Sequence, residues 1–448
     1  MPNCAGKEVY LQTRVGRSVL SCWKVGTDVK KYVTTLNTGR NVLHENARAS
    51  LREAARRWGA DYVELLTVRS PEPRTPYHEK IHIDEHFGDN CRVLYYDGDV
   101  VVRSDCPSPF DIVPPGQFGL VRSHYPSHAG STRHVERMIP GFASKHGVTL
   151  DCKEEYPNTG MILFDTSSHC CVFAEARRMR DECGWQDDWA LADQGFLSVA
   201  AKRTNADIFW MPPMLQYAGQ DLWAGWEPTM HTLGYHFCGP IDKSIAIPRT
   251  VWDDLGPARY TPSGVRRWEN GKPFGLNGFD EVPFFIREVS KVRRGRIVEV
   301  GCYLGGFTWY GAQIARDNYS TWQCVDHWGG SSDLSSNDWE SVYAGFLENM
   351  RESRLDRFVE VQRTTSVEAA AKTPDGSIDL VFIDGDHSYD QCRNDIEAWL
   401  PKVKHGGVIL GHDYGPNHPG VIQAVGDVLD GPDETSPGSF AIWKKVIK

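Results

Sequence analysis

Two copies of one acidic tripeptide constrain this chain more than any other feature, because each follows a strongly apolar run. Asp-Gly-Asp occupies positions 97–99 after residues 91–96, and positions 384–386 after residues 380–383. Two carboxylates at the end of a strand add nothing to packing, so each copy predicts a site for a cation or a proton. The sequence returns to an apolar strand after the first copy, whereas polar residues and a helix follow the second. We therefore interpret the copies as two different active sites rather than an internal repeat.

Length and charge limit the number of domains and the kinds of partner. The 448 residues correspond to two or three domains at about 150 residues each. The formal net charge of -10 argues against a nucleic acid or an anionic membrane as a partner. We therefore expect any phosphate group to be held by a metal ion rather than by a basic surface.

The absence of targeting signals and the cysteine pattern indicate a cytoplasmic protein. No run approaches the roughly 18 apolar residues that a membrane-spanning helix needs, so we expect no membrane span. Residues 1–11 lack the basic and apolar pattern of a signal peptide. The 12 cysteines are scattered without a Cys-x-x-Cys motif, which predicts reduced thiols.

Residues that break secondary structure divide the chain into two α/β units. Residues 1–255 form the first unit, residues 256–276 are predicted to be a linker, and residues 277–448 form the second unit. Strands and helices alternate in the second unit, which predicts a mainly parallel sheet with ligands at the carboxyl ends of its strands. Spacing further predicts these elements: strands at 19–21, 62–65 and 158–165, a helix with a buried stripe at 47–58, helices at 81–87, 168–183 and 282–289, and a helix at 391–404 that Gly406-Gly407 ends.

The first candidate site combines the tripeptide at 97–99 with a later histidine. Two aspartates separated by one small residue can bind one divalent ion, and such an ion neutralises a leaving diphosphate. His236 offers an imidazole ligand just before a turn, and Lys243 is near enough in sequence to reach a phosphate. The alternatives are an ordinary acidic surface turn and a histidine that serves only the core.

These features resemble the family-8 glycosyltransferases of GT-A fold, the group that contains glycogenin and bacterial lipooligosaccharide galactosyltransferases. The matching pieces occur in the family's order: residues 80–87, the strand before Asp97, Asn158-Thr-Gly160, Asp193-Gln194, His236-x-x-Gly239 and Lys243, which stands one position later than in that family. The resemblance implies a nucleotide-sugar donor, most often a UDP-sugar, and a glycan or glycoconjugate acceptor. It implies three sets of contacts: manganese ligands at Asp97, Asp99 and His236, donor-sugar contacts at Asn158, Asp193 and Gln194, and a diphosphate contact at Lys243.

The second candidate site begins with a strand, a glycine-rich turn and the start of a helix at 298–308. Glycines at 301, 305 and 306 let a ligand approach the backbone closely. Asp326, at the end of the next predicted strand, is placed to accept hydrogen bonds from ribose hydroxyls. A nicotinamide-dependent enzyme is the alternative, but the glycines do not follow the Gly-x-Gly-x-x-Gly spacing of dinucleotide sites.

This half resembles the class I S-adenosylmethionine-dependent methyltransferases, particularly the sugar O-methyltransferases that include macrocin methyltransferase. The closest stretches are residues 381–390, 395–399 and 406–414. The resemblance implies three groups: cofactor contacts at Glu299, Gly301, Gly305 and Asp326, magnesium ligands at Asp384 and Asp413, and a proton acceptor at Asp386 or His387. His387 and His412 could equally serve to orient the neighbouring carboxylates.

The sequence as a whole predicts a GT-A domain followed by a Rossmann-like class I methyltransferase domain. The leading hypothesis is a two-headed enzyme that transfers a sugar from a nucleotide donor and O-methylates a glycan hydroxyl. The alternative hypothesis is a glycan O-methyltransferase whose degenerate GT-A half only binds the glycan or the nucleotide sugar.

Overall fold

The structure is a computed structural model that describes eleven segments of the chain. They are residues 29–36, 42–65, 79–123, 132–184, 192–218, 233–236, 259–264, 266–269, 272–274, 280–331 and 338–448. The predicted strand at 19–21 and Lys243 lie outside the described residues. Among the helices of the described segments, none combines the length and the apolar character that crossing a bilayer requires.

The N-terminal half is built on a six-stranded mixed sheet and a smaller three-stranded sheet. Its strands are β1 (Lys30–Leu36), β2 (Asp61–Leu65), β3 (Cys91–Tyr96), β4 (Val100–Val102), β5 (Phe118–Arg122), β6 (Pro157–Asp165), β7 (Ile208–Met211), β8 (Tyr217–Ala218) and β9 (Gly234–His236). The large sheet has the order β2-β1-β3-β6-β5-β7, and the small sheet has the order β4-β9-β8. Strand β3 is parallel to β1, antiparallel to β6 and buried along its whole length, so the first tripeptide leaves the centre of the large sheet.

Helices cover this sheet largely as the hydrophobic spacing predicts. They are α1 (Val42–Arg57), a 3-10 helix (Lys80–His86), α2 (Pro109–Ile112), α3 (Thr132–Lys145), α4 (Thr166–Cys183) and α5 (Asp193–Arg203). The stripe predicted at 47–58 is confirmed, since Ala47, Leu51, Ala54, Ala55 and Trp58 are all buried. The helix predicted at 81–87 is a 3-10 helix rather than an α-helix, and it places Lys80 in the interior.

The C-terminal half is a seven-stranded sheet flanked by helices. Its strands are β13 (Arg296–Val300), β14 (Thr321–Asp326), β15 (Val359–Arg363), β16 (Ile378–Ile383), β17 (Val403–Gly411), β18 (Glu434–Thr435) and β19 (Trp443–Val446), which follow β10 (Arg259–Tyr260), β11 (Arg266–Glu269) and β12 (Lys272–Pro273) along the chain. The order is β15-β14-β13-β16-β17-β19-β18, with the first five strands parallel and β19 antiparallel to β17. The predicted, mainly parallel sheet is therefore confirmed.

The helices of this half begin with α6 (Val282–Ser290), which matches the prediction at 282–289. The others are α7 (Gly306–Asp317), α8 (Trp339–Glu352), α9 (Ser366–Lys372), α10 (Tyr389–Trp399) and α11 (Pro419–Leu429). The range predicted as a linker contains β10, β11 and β12, which form a small antiparallel sheet. Buried Arg267 of β11 donates to Asn349 Oδ1 on α8 at 2.9 Å, so this range is attached to the C-terminal half.

The helix predicted at 391–404 is wrong at its C-terminal end. Helix α10 ends at Trp399, and residues Leu400–Lys402 form a 3-10 turn that contains Pro401, which lacks a backbone N–H. Gly406 and Gly407 lie inside strand β17, where the register against β16 shifts between Ile378 and Leu380. The glycine pair therefore marks a bulge in a strand rather than the end of a helix.

The two halves share one cluster of buried hydrophobic side chains, beside a further cluster that belongs to each half alone. Phe110 and Ile112 of α2 belong to the same cluster of buried side chains as Phe284 and Phe285 of α6, and the two helices pack against each other. At a second contact, Glu154 forms ion pairs with Arg293 and Arg294. Burial of side chains from both halves in one cluster couples the stability of one half to that of the other.

We expect Phe110→Ala to destabilise both halves together. Phe110 is 3% exposed, and loss of a buried phenylalanine costs about 3–5 kcal/mol. Denaturant unfolding monitored by tryptophan fluorescence should show a single transition shifted to lower denaturant, and Phe358→Ala, at a side chain that is 40% exposed, is the control. Two transitions, only one of which moves, would contradict a shared core.

Candidate active sites

The first tripeptide and His236 converge at the junction of the two N-terminal sheets. Strand β9 pairs with β4 so that His236 lies opposite Val100, directly after the tripeptide. The Nε2 atom of His236 is 3.4 Å from Asp97 Oδ2 and 3.2 Å from Asp99 Oδ1. One ligand atom from each of the three side chains lies within 4.8 Å of the others. Two carboxylates and one imidazole are a donor set that suits a divalent ion such as manganese, so the predicted ligands fit it.

The absence of a side chain at Gly160 allows this convergence. A Cβ atom at position 160 would lie 2.4 Å from Gln216 Nε2 and 2.5 Å from His236 Cε1. Gln216 Nε2 lies 2.6 Å from His236 Nδ1 and donates to Asn158 Oδ1 at 2.8 Å. Asn158 is therefore joined to His236 through Gln216, which contacts the ring nitrogen that does not face the carboxylates.

Buried Lys80 connects the acidic pair to Asp193. Its Nζ atom is 2.8 Å from Asp97 Oδ1 and 3.1 Å from Asp193 Oδ2. Burial opposes the lysine charge, but the carboxylates of Asp193 and Asp97 outweigh that effect and raise the pKa of Lys80. Sequence reasoning used residues 80–87 only as a helix and missed this contact, because a buried lysine looks like an exposed one in a sequence.

Helix α5 begins with Asp193 and Gln194, and Asp193 contacts this region. Asp193 is 1% exposed and also accepts a hydrogen bond from the Thr159 hydroxyl. The Oε1 atom of Gln194 is buried and has no hydrogen-bond partner among the described residues. The structure thus brings Asp97, Asp99 and His236 together and connects them to Asn158 through Gln216 and to Asp193 through Lys80. Lys243 lies outside the described residues.

The second region surrounds a cavity of about 330 Å³ at the carboxyl ends of β13, β14 and β16. Gly301, Tyr303, Asp326, Asp384 and Asp386 are among the residues that line it. Gly301 has φ +82°, and a Cβ atom there would lie 2.0 Å from the backbone oxygen of Asp384. Glycine at this position therefore permits β13 and β16 to end side by side, as well as the close approach of a ligand.

Asp326 holds the glycine-rich turn in place. Its Oδ2 atom accepts hydrogen bonds from the amides of Cys302 at 2.9 Å and Tyr303 at 3.1 Å, and its Oδ1 atom accepts from the amide of Trp328 at 2.7 Å. The carboxylate also lines the cavity, which is the position that the predicted ribose contact requires.

Glu299 and Gly305, both predicted as cofactor contacts, are not among the residues that line the cavity. Glu299 is 1% exposed and accepts hydrogen bonds from Thr308 Oγ1 at 2.6 Å and Trp322 Nε1 at 3.0 Å. Burial raises its pKa to about 8. Gly305 has φ +91°, and a Cβ atom there would lie 2.6 Å from Met350 Cε, so this glycine lets α7 pack against α8.

The carboxylates predicted to bind magnesium meet around His412. The Nδ1 atom of His412 is 3.2 Å from Asp384 Oδ1 and 3.1 Å from Asp413 Oδ2. Burial lowers the pKa of His412, but the nearby carboxylates outweigh this effect and raise the pKa to about 12, and Asp384 makes the largest contribution among them. The convergent carboxylates fit a divalent ion, and the His412 proton would compete with that ion. Asp386 lies outside this group and accepts a hydrogen bond from the Ser388 amide at 2.8 Å.

His387 contacts the same oxygen of Asp413 as His412 does. Its Nε2 atom is 2.8 Å from Asp413 Oδ2, and its side chain is 21% exposed. A partly exposed imidazole that is oriented by a buried carboxylate is suited to accept a proton from a bound substrate. His418, which sequence reasoning missed, also contacts Asp413, with its Nε2 atom 3.6 Å from Oδ1. No motif signals His418, because it lies in an irregular turn before α11.

We expect Gly301→Ala to weaken binding of S-adenosylmethionine, the cofactor that the sequence resemblance implies, at least tenfold. The new Cβ atom would meet the backbone of Asp384 and displace the wall of the cavity. Calorimetric titration of the purified protein measures the affinity, and circular dichroism verifies the fold. The control is Gly426→Ala, because nothing lies within 4 Å of a Cβ atom at that position. Equal affinities would contradict the prediction.

We expect Glu299→Gln to remove one source of pH dependence from the stability. The folded protein keeps the Glu299 proton between pH 4.5 and about 8, whereas the unfolded chain loses it near pH 4.5. The stabilisation that Glu299 contributes to the fold is therefore fully present below pH 4.5 and is lost as the pH rises to about 8, with a total on the order of 5 kcal/mol. Denaturant titrations across this window should show the variant gaining stability relative to the native protein. A constant difference would show that Glu299 is not protonated in the fold.

Comparisons with known proteins identify the C-terminal half. Residues 298–414 match the family described as "Methyltransferase domain". An uncharacterised protein of Sinorhizobium fredii is 32% identical over 133 residues, which are 29% of this chain and 14% of that protein. The chain thus spans about one seventh of the length of this curated relative.

Solved structures with similarity to this chain come from both kinds of transferase. A TDP-rhamnose 3'-O-methyltransferase of calicheamicin biosynthesis has a TM-score of 0.26 and 18% identity over 36% of this chain and 75% of its own. A glycosyltransferase involved in glycosylation of the major capsid of PBCV-1 has a TM-score of 0.34 and 13% identity over 47% of this chain and 95% of its own. The family match shows that residues 298–414 are a methyltransferase domain of Rossmann-like fold, of the kind that uses S-adenosylmethionine.

Proposed function

We propose that this chain is a bifunctional glycan-modifying enzyme. Its C-terminal half O-methylates a sugar hydroxyl with S-adenosylmethionine, and its N-terminal half transfers a sugar from a nucleotide-sugar donor with the help of a divalent metal. The observation that carries the proposal is the presence of two separate groups of carboxylates and imidazoles, each at the end of an apolar strand. Packing alone provides no reason to bury such groups twice.

The methyl-transfer half of the proposal rests on the cavity and the groups beside it. Asp384 lines the cavity and also contacts His412, so a cofactor in the cavity would lie next to the acidic group. The sulfonium of S-adenosylmethionine already carries a good leaving group, so the protein has to align an acceptor oxygen with the methyl carbon and remove a proton. His387 is the proposed proton acceptor, and Asp413 orients it at 2.8 Å.

Magnesium at Asp384 and Asp413 is part of this proposal. When bound, such an ion lowers the pKa of a coordinated hydroxyl. The two aspartates and His412 enclose the position on the side away from solvent, since His412 and Asp413 are only 6% exposed. The acceptor therefore approaches from the side of His387, whose side chain is 21% exposed.

The sugar-transfer half of the proposal rests on the group of Asp97, Asp99 and His236, and on its assignment to a GT-A domain as part of this proposal. A manganese ion held there would neutralise the diphosphate of a UDP-sugar. Lys80 fixes Asp97 and Asp193 in one network, which would keep Asp193 and Gln194 beside the donor sugar. The Oε1 atom of Gln194, which has no hydrogen-bond partner among the described residues, would accept a hydrogen bond from a hydroxyl of that sugar.

Reciprocal variants of the full chain test the two activities. We expect Asp99→Asn to reduce metal-dependent turnover of a nucleotide sugar by roughly 100-fold or more, since even a partner of a metal ligand contributes about 10–100-fold. Methylation of a preformed acceptor should persist in this variant. His387→Gln should slow methyl transfer by about 10²–10⁴-fold, as expected for loss of a general base, and leave sugar transfer intact.

The assay screens nucleotide sugars with Mn²⁺, with and without S-adenosylmethionine. Exposed residues in each half provide the matched controls, Asp89→Asn and His405→Gln, which should behave as the native protein. Loss of both activities in a folded single variant would reject independent sites. Absence of nucleotide-sugar turnover in the native protein, with binding retained, would favour the degenerate-domain alternative.

A further inference from the structure

A second group of possible metal ligands lies beside the proposed magnesium position. His387, Asp413 and His418 each present one ligand atom, and these atoms all lie within 4.8 Å of one another. The two imidazoles approach different oxygens of one carboxylate: His387 Nε2 is 2.8 Å from Oδ2, and His418 Nε2 is 3.6 Å from Oδ1. Atoms that share one ion at about 2.1 Å lie within about 4 Å of each other, so an ion bound here would draw these ligand atoms slightly closer together.

The backbone is shaped to bring the two histidines together. His418 immediately precedes α11, and a Cβ atom at Gly420 in the first turn of that helix would lie 2.8 Å from the backbone oxygen of His387 and 2.7 Å from the amide of Tyr389. Only glycine permits this approach, which sets the two rings 4.3 Å apart with their planes inclined by 56°. Such rings converge on a common point rather than stack in parallel.

Asp413 itself has an unusual backbone conformation. Its φ angle is +59°, in the left-handed region that costs a non-glycine residue about 1 kcal/mol or more. Asp413 stands two residues after the end of β17. In this conformation its carboxylate contacts three histidines, which are His412, His387 and His418. Strain of this kind persists where the surrounding structure requires one orientation of a side chain.

Exposure and ligand chemistry distinguish this group from its neighbour. The side chain of Asp413 is 8% exposed, whereas those of His387 and His418 are each 21% exposed, so an ion bound here would keep coordination positions open to solvent. Two imidazoles and one carboxylate suit borderline transition ions such as Zn²⁺ and Co²⁺, whereas Mg²⁺ prefers oxygen ligands. The group of Asp384, Asp413 and His412 offers two carboxylates instead.

We propose that His387, Asp413 and His418 form a binding site for a divalent transition-metal ion, which shares Asp413 with the neighbouring acidic group. The site shares His387 and Asp413 with the proposed methyl transfer, so an ion bound here would prevent His387 from accepting a proton, and the site is tested by metal affinity rather than by activity. Metal selectivity of the C-terminal half then follows from its imidazoles, with Zn²⁺ and Co²⁺ preferred to Mg²⁺ at this position.

Metal titrations of the full chain test this site. The protein is stripped with a chelator and carries Asp99→Asn, so that the N-terminal group does not contribute. Calorimetry then measures Zn²⁺ affinity, and the visible absorption of Co²⁺ reports its ligands. We expect His418→Gln and His387→Gln each to weaken Zn²⁺ binding at least tenfold, while exposed His405→Gln has no effect.

Two further variants test whether His418 binds the metal ion directly or only supports the structure, and whether the neighbouring acidic group contributes. His418→Cys should retain tight Zn²⁺ binding and add a thiolate charge-transfer band to the Co²⁺ spectrum, which a merely structural histidine would not produce. Asp384→Asn should change Zn²⁺ affinity less than threefold. Unchanged Zn²⁺ affinity in His418→Gln, or an equal loss in Asp384→Asn, would overturn the proposal. Circular dichroism verifies the fold of every variant.

Discussion

One carboxylate of each acidic tripeptide contacts a buried cationic side chain, and the arrangement of both candidate sites depends on that pairing. In the N-terminal half, Lys80 contacts Asp97 and Asp193 from the interior. In the C-terminal half, His412 contacts Asp384 and Asp413. Unpaired carboxylates at these depths would cost several kcal/mol each, so the cations keep the turns folded before any ligand binds.

The two cationic side chains, Lys80 and His412, differ in whether they can themselves bind a metal ion. A lysine ammonium has no lone pair at neutral pH and cannot bind a metal, so Lys80 stays a positioning group beside an ion held by Asp97, Asp99 and His236. An imidazole that releases its proton becomes a ligand, so His412 can either neutralise its carboxylates or join them in coordination. The C-terminal group is consequently the more adaptable of the two, since three histidines surround Asp413.

The sequence predicts site residues that belong to recognisable motifs better than site residues whose roles depend on tertiary contacts. The strand before each tripeptide, the buried stripe of α1 and the parallel C-terminal sheet all follow from the periodicity of apolar residues, and the structure confirms them. Asp97, Asp99 and His236 converge as their motifs predict. Lys80 and Gln216 escaped prediction because their roles arise from contacts between separate segments of the chain, whereas His418 lies in an irregular turn that carries no motif.

Errors in the C-terminal half have a common physical origin. The helix predicted at 391–404 runs through Pro401 to a glycine pair, but the structure ends the helix before Pro401. The two glycines form a bulge that becomes visible only in the pairing of β16 with β17. Glu299 belongs to the glycine-rich motif but points into the core toward Thr308 and Trp322, because alternate residues of a strand face opposite sides. A motif thus locates a turn without deciding which of its side chains face the cavity.

The contact between Gly160, Gln216 and His236 restricts how this chain can vary during evolution. Even the smallest substitution at position 160 would add one methyl group to space that an amide and an imidazole already occupy. Relatives with alanine at this position would have to move the histidine away from the aspartates or shorten the amide side chain beneath it. The identity of one residue without a side chain is therefore linked to the identities of two others more than fifty positions away.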